Sequence, residues 1–252
     1  CFWFDQKVCG AFRFKMNFVV RQIKPELCSQ WFLYKHYAKR KPNVSYAFGI
    51  YDNNGILVGV CSYSRPMSHT LVRGAFNGEY QKNFLELNRL VVNEGLPRNT
   101  LSFFVSRTLK LLPLPCVVVS YADTSQNHHG YIYQATNWVY TGLSAKRPDY
   151  KIRGLEHLHS ATVADSAGRN DRAGVKIRDK SVKKIEILRH MYGDDLYVEE
   201  RPRKHRYFYF VGNRTEKKDM RRKLCYKEHP YPKGNNVRYD ASFSPEIQLE
   251  LI

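Results

Sequence analysis

The sequence predicts an α+β protein with a mixed, largely antiparallel central sheet, flanking helices and a basic C-terminal extension. Three observations support this prediction. Period-two apolar runs typical of strands recur along the chain, helix-like segments separate several of them, and one strand–helix–strand succession is long enough for a parallel crossover. We expect residues 1–145 to form the core domain and residues 146–252 to form an extension that completes the fold.

The first 64 residues are predicted to form a strand, a helix and a hairpin. Residues Phe12–Val20 alternate apolar and polar side chains, as a half-buried strand does. Pro25 opens an amphipathic helix over Leu27–Arg40, which has cations at its end. Strands over Ser45–Tyr51 and Ile56–Ser64 are joined by the sequence D-N-N-G, which favours a tight turn and so an antiparallel pair.

The middle of the chain is predicted to form the crossover. After a looser stretch over residues 65–78, a strand covers Phe84–Val92 and a turn with the sequence N-E-G-L-P follows it. A helix over Leu101–Leu112, capped by Asn99 or Thr100, leads to the apolar strand Cys116–Tyr121, which we expect at the centre of the sheet. The two strands are therefore predicted to be parallel.

The remaining elements are shorter. A helix is predicted over Gly130–Thr136, and a strand begins at Trp138–Tyr140. Residues Ser160–Arg178 show little periodicity and are predicted to be a mobile basic loop, and Arg206–Val211 is predicted to be a strand.

Composition and net charge limit the classes of protein to which the chain can belong. Of the 252 residues, 43% are hydrophobic and 14% aromatic, which excludes a disordered or fibrous chain. Lys and Arg number 41 against 23 Asp and Glu, a net charge of +18, and this favours a polyanionic partner such as nucleic acid over a merely solubilising surface. Residues 146–233 hold 24 basic and 13 acidic residues, net +11, so most of the excess charge lies near the C-terminal end.

Cysteine usage and hydropathy indicate where the protein works. The six cysteines contain no C-x-x-C pair and are predicted to be reduced core residues. No apolar run reaches the roughly 18–20 residues that cross a bilayer, and no signal peptide precedes the first strand. We therefore expect a cytoplasmic location without membrane association.

The turn after the strand Phe84–Val92 is a candidate anion site. A strand that runs through a Gly-containing turn into a helix start presents backbone N–H groups and a positive helix end. The turn lacks a P-loop motif, so an ordinary strand–turn–helix joint is the alternative. The residues that would bind a phosphate-bearing cofactor are Val91, Val92, Gly95, Arg98, Asn99 and Thr100.

Three further positions are candidates for chemistry. Asp123 follows the predicted central strand, at the sheet end where ligands of open sheets bind, although it could instead cap a turn. Arg89 shares a strand face with Leu85, Leu87 and Val91, so it needs either a carboxylate or an anionic ligand. The pair His128 and His129, like His36 and Tyr37, suits titration or metal binding, but packing or solvent exposure explains the same residues.

The basic and aromatic sequence R-P-R-K-H-R-Y-F-Y-F at residues 201–210 is a candidate nucleic-acid interface. Cations neutralise phosphates, and aromatic rings stack on bases. The alternative is a buried strand that is preceded by solvent-exposed charged residues. The residues predicted to contact DNA are Arg169, Arg172, Arg203, Lys204 and Arg206.

Several strings together resemble a known family. The order of elements around L-N-R-L-V-V resembles the GNAT acyltransferase fold, in which the turn after the long strand holds the pyrophosphate of an acyl-CoA. More specifically, residues 120–138, S-Y-A-D-T-S-Q-N-H-H-G-Y-I-Y-Q-A-T-N-W, with H-R-Y-F-Y-F near residue 205 and H-P-Y-P-K-G at 229–234, resemble the phage Mom family of DNA adenine modification proteins. The turn N-E-G-L-P-R-N-T departs from the usual GNAT phosphate motif.

The resemblance implies a transferase that leaves a carbamoylmethyl, or acetamido-type, group on adenine N6 in double-stranded DNA and so protects phage DNA from restriction. It implies acetyl-CoA as the carbon source, and it places Arg89, Ser106, Asp123 and Tyr133 at the cofactor and reaction site. It also implies an iron site, for which His36, Tyr37 and Asp123 are the candidates, and a homodimer is an expected assembly.

The residue chemistry suits that reaction. Adenine N6 is a weak nucleophile, so Asp123 would accept a proton or a hydrogen bond from the amine. Tyr133 would protonate a leaving thiolate, and Arg89 would pair with Asp123 or an oxyanion. A duplex base must be flipped out, and Trp138 and Tyr140 are candidates to stack on it. The rival functions are a GNAT N-acetyltransferase for a small amine or protein and a non-catalytic nucleic-acid-binding protein.

Overall fold

The computed structural model describes residues 18–158, 163 and 183–235. The chain forms two compact units. The first contains the residues up to 122, residues 127–142 and the chain from residue 205, and the second contains residues 123–126 and 143–204. The boundary predicted at residue 145 lies near the start of the long segment of the second unit, and the chain returns to the first unit at His205.

Seven strands form the main sheet in the order β1-β2-β3-β4-β5-β9-β6. Neighbouring strands from β1 to β4 pair antiparallel, whereas β4 and β5 pair parallel. This confirms the predicted α+β class with a mixed, largely antiparallel sheet and the predicted crossover. The strands are β1 Val19–Gln22, β2 Tyr46–Tyr51, β3 Leu57–Ser64, β4 Phe84–Val92, β5 Cys116–Asp123, β6 Val139–Leu143, β7 Pro148–Ile152, β8 Leu196–Glu200 and β9 Lys204–Val211.

Helices cover both faces of the main sheet. The helices are α1 His69–Gly74, α2 Thr100–Leu111, α3 Tyr131–Ala135, α4 Lys184–Tyr192 and α5 Arg214–Lys223. Phe104 of α2 is buried in one cluster with Val118 of β5, whereas Met220 of α5 is buried in another with Val117 of the same strand. Because successive strand residues point to opposite faces, α2 and α5 lie on opposite sides of β5.

The hairpin forms as its turn sequence predicts. The Asp52 carboxylate accepts hydrogen bonds of 2.9 Å from the backbone N–H groups of Asn54 and Ile56. Gly55 adopts a φ of +74°, a conformation that favours glycine. These local interactions explain why this part of the prediction is confirmed.

The helix predicted over Leu27–Arg40 forms in part and ends at Lys35. Helical backbone is continuous from Pro25 to Lys35, as a 3-10 turn over Pro25–Cys28, α-helical residues 29 and 30, and a π-helical turn over Trp31–Lys35. His36 leaves the helix with an extended backbone, and its Nδ1 accepts a hydrogen bond of 3.1 Å from Ala38 N–H. The apolar spacing correctly predicted a buried face, since Trp31 is buried. The helix ends early because the His36 side chain hydrogen-bonds the backbone.

A bulge in β4 changes the face on which Arg89 lies. In the register with β3, Ser62 pairs with Arg89 and Tyr63 with Leu87, so Asn88 is an extra residue. Beyond the bulge Val91 joins the cluster of Trp31, whereas Leu90 packs against the cluster that contains Leu87. The prediction that Leu85, Leu87, Arg89 and Val91 share one face is therefore wrong.

The second unit has its own small core. Strands β7 and β8 pair antiparallel, and Ile152, Val163 and Leu188 are buried together. The sequence did not predict these strands or helix α4, and the loop predicted over residues 160–178 lies outside the described residues apart from Val163. The main segment of the strand predicted over Phe12–Val20 also lies outside them, and β1 starts at Val19.

Other expectations can be compared directly. Cys28, Cys61 and Cys116 are buried free thiols, as predicted, whereas Cys225 is an exposed free thiol, so its prediction as a core residue is wrong. Residues 65–78 contain α1, whose first turn is capped by the Ser68 hydroxyl accepting from Leu71 N–H. None of the helices in the described ranges is long and apolar enough to cross a bilayer.

Candidate functional site

Strands β4 and β5 separate in the middle of the sheet. Their parallel ladder joins Phe84 with Val117, Leu85 with Val118 and Glu86 with Val119, and it ends there. At the next step the Ser120 side chain replaces the ladder, because its hydroxyl donates to Leu87 O at 2.8 Å. The Ser120 hydroxyl also hydrogen-bonds the Tyr133 hydroxyl at 2.7 Å. We call this arrangement the Ser120–Tyr133 site.

Tyr133 stays protonated at neutral pH. Burial raises the pKa of its hydroxyl well above the usual value, and the hydrogen bond with Ser120 opposes that shift only in part. The negative charges that Tyr37 and Glu86 can carry raise the pKa further. Tyr133 can therefore donate a hydrogen bond to a developing negative charge, and it resists giving up its proton.

Aromatic side chains from two loops contact one another, and one of them, Tyr37, interacts electrostatically with Tyr133. The His36 and Tyr37 rings stack with centroids 4.4 Å apart, and Tyr37 meets the His128 ring edge-on at 6.0 Å. His36 is buried, with 5% of its surface exposed. The structure thus brings together three residues that the sequence singled out separately.

The β4–α2 connection has an open helix start. Asn99 is the N-cap residue of α2, with a left-handed φ of +71°, but its side chain makes no capping hydrogen bond. The Thr100 hydroxyl bonds Pro97 O at 2.7 Å instead, so neither residue caps the helix as predicted. Gly95 has a φ of +73°, and a Cβ there would meet no heavy atom within 4 Å. Of the other predicted cofactor residues, Arg98 is exposed, Val91 is buried and Val92 is half-buried.

A buried lysine anchors this connection. Lys35 has 1% of its side chain exposed, and its Nζ lies 2.6 Å from the Glu94 carboxylate, which is 50% exposed. A buried ammonium needs such a partner, since it loses its hydration on folding. The sequence offered no signal for this pair, whose members lie 59 residues apart.

Arg89 and Ser106 lie on elements beside this region. The Arg89 guanidinium donates to Asn88 O at 2.7 Å and to Arg40 O at 3.4 Å. Ser106 is half-buried in the middle of α2. Their predicted catalytic roles stay predictions.

Asp123 belongs to the second unit, where it is held as a carboxylate. It is 7% exposed, its Oδ2 lies 2.7 Å from Lys204 Nζ, and its Oδ1 accepts from Ser125 N–H and Oγ–H at 3.1 and 2.7 Å. Burial works to raise its pKa, but the bonds from Lys204 and Ser125 outweigh burial and lower it. The bond to Ser125 N–H is the turn-capping role that the sequence offered as the alternative.

The cations predicted to contact DNA make contacts within the protein. Arg203 donates from Nε to Ser144 O at 2.6 Å, and Lys204 pairs with Asp123. The Arg206 guanidinium lies 3.6 Å from the Tyr226 ring centre and donates to Thr141 Oγ1 at 2.9 Å. Arg169 and Arg172 lie outside the described residues. Contact of these five residues with DNA stays a prediction.

The predicted iron ligands do not form a metal site with other donors. Within the described ranges no three or more His, Cys, Asp or Glu side chains group together to hold a metal ion. The Asp123 carboxylate already bonds Lys204 and Ser125, and His36 Nδ1 accepts from Ala38 N–H. In this conformation Lys204 and Ser125 already occupy the Asp123 carboxylate, so Asp123 would have to leave both partners to bind a metal ion.

An aromatic cluster supports the Ser120–Tyr133 site. The Tyr133 ring lies 5.0 Å from the rings of both Trp138 and Tyr207. Tyr140, 5.0 Å from Tyr207, bonds His205 Nδ1 through its hydroxyl at 2.7 Å. Because Trp138 and Tyr140 are buried, at 1% and 8% exposure, they pack the core in this conformation.

The sequence analysis assigned no role to Ser120 or Glu86. A serine inside the apolar run C-V-V-V-S-Y was the available signal for Ser120, because a hydroxyl in a central strand must find a partner. For Glu86 the signal was a carboxylate in a strand flanked by leucines.

Comparisons with known proteins place the chain in a family. The model of the Mom protein family matches residues 17–233. The protein named methylcarbamoylase mom, from Escherichia phage Mu, is 29% identical over 223 residues, which cover 84% of this chain and 85% of the relative.

Two solved structures are similar at 10% identity and a TM-score of 0.39. One is yncA, a putative acetyltransferase from Salmonella typhimurium with its cofactor acetyl-CoA, and the match covers 78% of this chain and 95% of that one. The other is an N-acetyltransferase from Staphylococcus aureus Mu50, with 77% and 99% covered. The match of the family model over most of the chain settles the membership: this chain belongs to the Mom protein family.

Proposed function

We propose that the protein is a transferase that modifies adenine in double-stranded DNA with an acetamido-type (carbamoylmethyl) group at N6, using acetyl-CoA. The observation that carries the proposal is the family match over residues 17–233, together with the relative named methylcarbamoylase. The net charge of +18 supports a polyanionic substrate. Protection of phage DNA from restriction is the proposed consequence.

The β4–α2 connection fits the phosphate part of an acyl-CoA. The side chain of Asn99 leaves the start of α2 uncapped, and Gly95 keeps the backbone of the turn accessible. A helix start of this kind binds anions through its N–H groups and its positive dipole end. Acetyl-CoA bound there would supply the two carbons of the group, with CoA thiol as the leaving group. A carbamoylmethyl product also requires a nitrogen donor for its amide and a two-electron oxidant for the new bond between N6 and the methyl carbon.

The Ser120–Tyr133 site suits the charge that develops during acyl transfer. Tyr133 keeps its proton because burial raises the pKa of its hydroxyl, so it can donate a hydrogen bond to an oxyanion or a leaving thiolate. Ser120 has one hydroxyl proton, and when it donates that proton to the Tyr133 oxygen the Tyr133 proton is available for the reacting group; when Ser120 donates to Leu87 O instead, Tyr133 donates to Ser120. Preorganised donors of this kind contribute about 10²–10³-fold to a rate.

The test is mass spectrometry of nucleosides from plasmid DNA propagated with the protein. We expect an adenosine heavier by one acetamido group with the wild-type chain. Tyr133→Phe should lower the modified fraction about 10²-fold, because the variant lacks the donor. Tyr131→Phe is the matched control, since Tyr131 lies on the same helix with 53% of its surface exposed, and it should act as wild type.

The outcomes separate the rival functions. A nucleoside pool without modified adenosine in the presence of well-folded wild-type protein contradicts the proposal. In that case, acetylation of a small amine or protein would indicate an ordinary N-acetyltransferase, and DNA binding alone would indicate a non-catalytic protein. Equal activity of Tyr133→Phe and Tyr131→Phe would remove Tyr133 from the mechanism.

A further inference from the structure

Helix α5 carries a wholly basic outer face. Its sequence, R-T-E-K-K-D-M-R-R-K, holds six cations and two acids. Residues three and four apart share a helix face, which places Arg214, Lys217, Lys218, Arg221 and Arg222 together. These five residues, which we call the α5 basic face, are all exposed.

The acidic residues of α5 are used on its inner side. Glu216 closes the capping box, accepting from Asn213 N–H at 2.7 Å. Asp219 accepts from Tyr80 at 2.8 Å and pairs with Lys223, while Met220 is fully buried. The inner side is therefore neutralised and packed. On the outer side Arg221 pairs with Glu228 and Arg222 with Asp219, so the excess positive charge of the face comes from Arg214, Lys217 and Lys218.

Helix stability does not explain the cations of the first two turns. Cations near a helix C-terminus are favourable, which accounts for Arg221, Arg222 and Lys223. Arg214 lies at the opposite end, where the helix dipole opposes it, and Lys217 and Lys218 lie in the middle, where the dipole does not favour them. Like charges four residues apart, as in Arg214 and Lys218, also repel. A polyanion laid along this face would relieve both penalties.

The α5 basic face is connected to the Ser120–Tyr133 site by ring contacts. Lys217 Nζ lies 5.9 Å from the Tyr209 ring centre, and Tyr209 lies 5.5 Å from Trp138. Trp138 in turn lies 5.0 Å from Tyr133. All of these residues belong to the first unit, and the contacts run from the side of the sheet that α5 covers to the side that holds Tyr133.

We propose that the α5 basic face is the surface that binds the phosphate backbone of double-stranded DNA. The inference takes double-stranded DNA as the partner from the proposed function, and it adds the surface of the protein that binds it. From Arg214 to Arg222 the face extends roughly 12 Å along the helix, at about 1.5 Å per residue. That length spans several phosphate charges of a duplex, which carries one charge per about 1.7 Å of axis. Contacts of this kind position the duplex and do not select a sequence.

The test compares two triple variants of the full chain in binding to a short fluorescent DNA duplex over a range of salt concentrations. Arg214→Gln, Lys217→Gln and Lys218→Gln together remove three charges from the face. The control variant removes three exposed lysines from other elements, Lys24→Gln, Lys82→Gln and Lys110→Gln. The slope of log K against log salt is negative, and each lost phosphate contact reduces its magnitude by about 0.9. The magnitude of the slope should therefore fall by about 2 to 3 for the first variant and by less than about 1 for the control.

Folding and function are measured separately. Circular dichroism should show intact helix in both variants, since the capping box of Asn213 and Glu216 is unchanged. An equal salt slope for the two variants overturns the proposal. Binding to phosphatidylserine vesicles is measured as well, and the proposal is also overturned if the first variant loses vesicle binding while its binding to the duplex is unchanged. If wild-type protein leaves nucleosides unmodified, the proposed function fails, but the slopes still decide whether this surface binds DNA.

Discussion

At the scale of single residues, the candidate chemistry depends on where protons are held. Tyr133 is buried and neutral, and Asp123 is buried and ionised, because the two groups have different partners. The resemblance to the family pointed to both residues. Ser120 could not be predicted as the partner of Tyr133, because the contact also requires Leu87 from a strand 33 residues away. A single sequence contains no direct signal for such a contact.

Asp123 should make stability depend on pH in the acid range. Because the folded-state pKa is lower than the value of about 3.9 in an unfolded chain, the carboxylate stabilises the fold above that pH. The contribution is lost as the pH falls through the folded-state pKa. Urea denaturation at pH 7, 5, 4 and 3 should show that Asp123→Asn is less stable than wild type at pH 7 by about 1–3 kcal/mol. The difference should shrink towards pH 3.

Ser102→Ala is the control for that series, since Ser102 lies on α2 and carries no acid group. A constant difference between Asp123→Asn and wild type from pH 7 to pH 3 would show that the ionised form of Asp123 does not contribute. The catalytic role of Asp123 stays a prediction that this experiment does not address.

At the scale of elements, the β4–α2 connection combines two opposing charges. Its open helix start attracts anions, while Glu94 brings a carboxylate into the same connection. Lys35 offsets that carboxylate from a buried position, and the proposed phosphate site depends on this pair. The sequence predicted β4 and α2 almost to the residue, because their apolar spacing is regular. It could not predict that Lys35, near the end of the first predicted helix, is buried and pairs with Glu94, because the two residues are 59 positions apart.

Lys35→Met should weaken the binding of acyl-CoA. The methionine retains most of the buried volume, but it leaves Glu94 unneutralised next to the proposed phosphate position. We expect the KM for acetyl-CoA to rise about 10-fold with a smaller change in kcat, and Lys35→Met with Glu94→Gln to recover most of the loss. Titration calorimetry with acetyl-CoA checks both variants.

The double variant is the decisive comparison for this pair. If Lys35→Met loses affinity and the addition of Glu94→Gln recovers none of it, the charge of Glu94 is not the cause. Thermal unfolding of each variant shows whether packing has changed, since Lys35 is almost fully buried.

At the scale of the whole molecule, the chain builds two units with separate apolar clusters. The first unit contains the sheet of seven strands and the Ser120–Tyr133 site, and the second has the small cluster around Leu188. Composition alone located the excess of positive charge towards the C-terminal end. It did not show that this region contributes β9 to the main sheet and α5 to its cover.

Leu188→Ala should destabilise the second unit selectively. Removing a fully buried leucine side chain costs about 2–5 kcal/mol. All three tryptophans, Trp3, Trp31 and Trp138, lie outside residues 143–204, so their fluorescence reports on the rest of the chain. We expect the urea transition followed by far-UV circular dichroism to broaden or split, while the tryptophan transition keeps its midpoint.

Leu109→Ala is the reciprocal variant, because Leu109 is buried in the cluster of the main sheet. It should lower the midpoint of the tryptophan transition. An equal shift of the tryptophan midpoint by Leu188→Ala would mean that the two units unfold as one.

The sequence by itself determined the α+β class, the hairpin, β4, α2, β5 and the excess of positive charge. Apolar periodicity, turn residues and net charge are local or summed properties, so one chain is enough to predict them. Only the tertiary structure decided that Ser120 meets Tyr133 where β4 and β5 separate, that a bulge turns Arg89 to another face, and that Arg203, Lys204 and Arg206 bond within the protein. Those outcomes depend on contacts between residues distant in sequence, which form only when the elements pack.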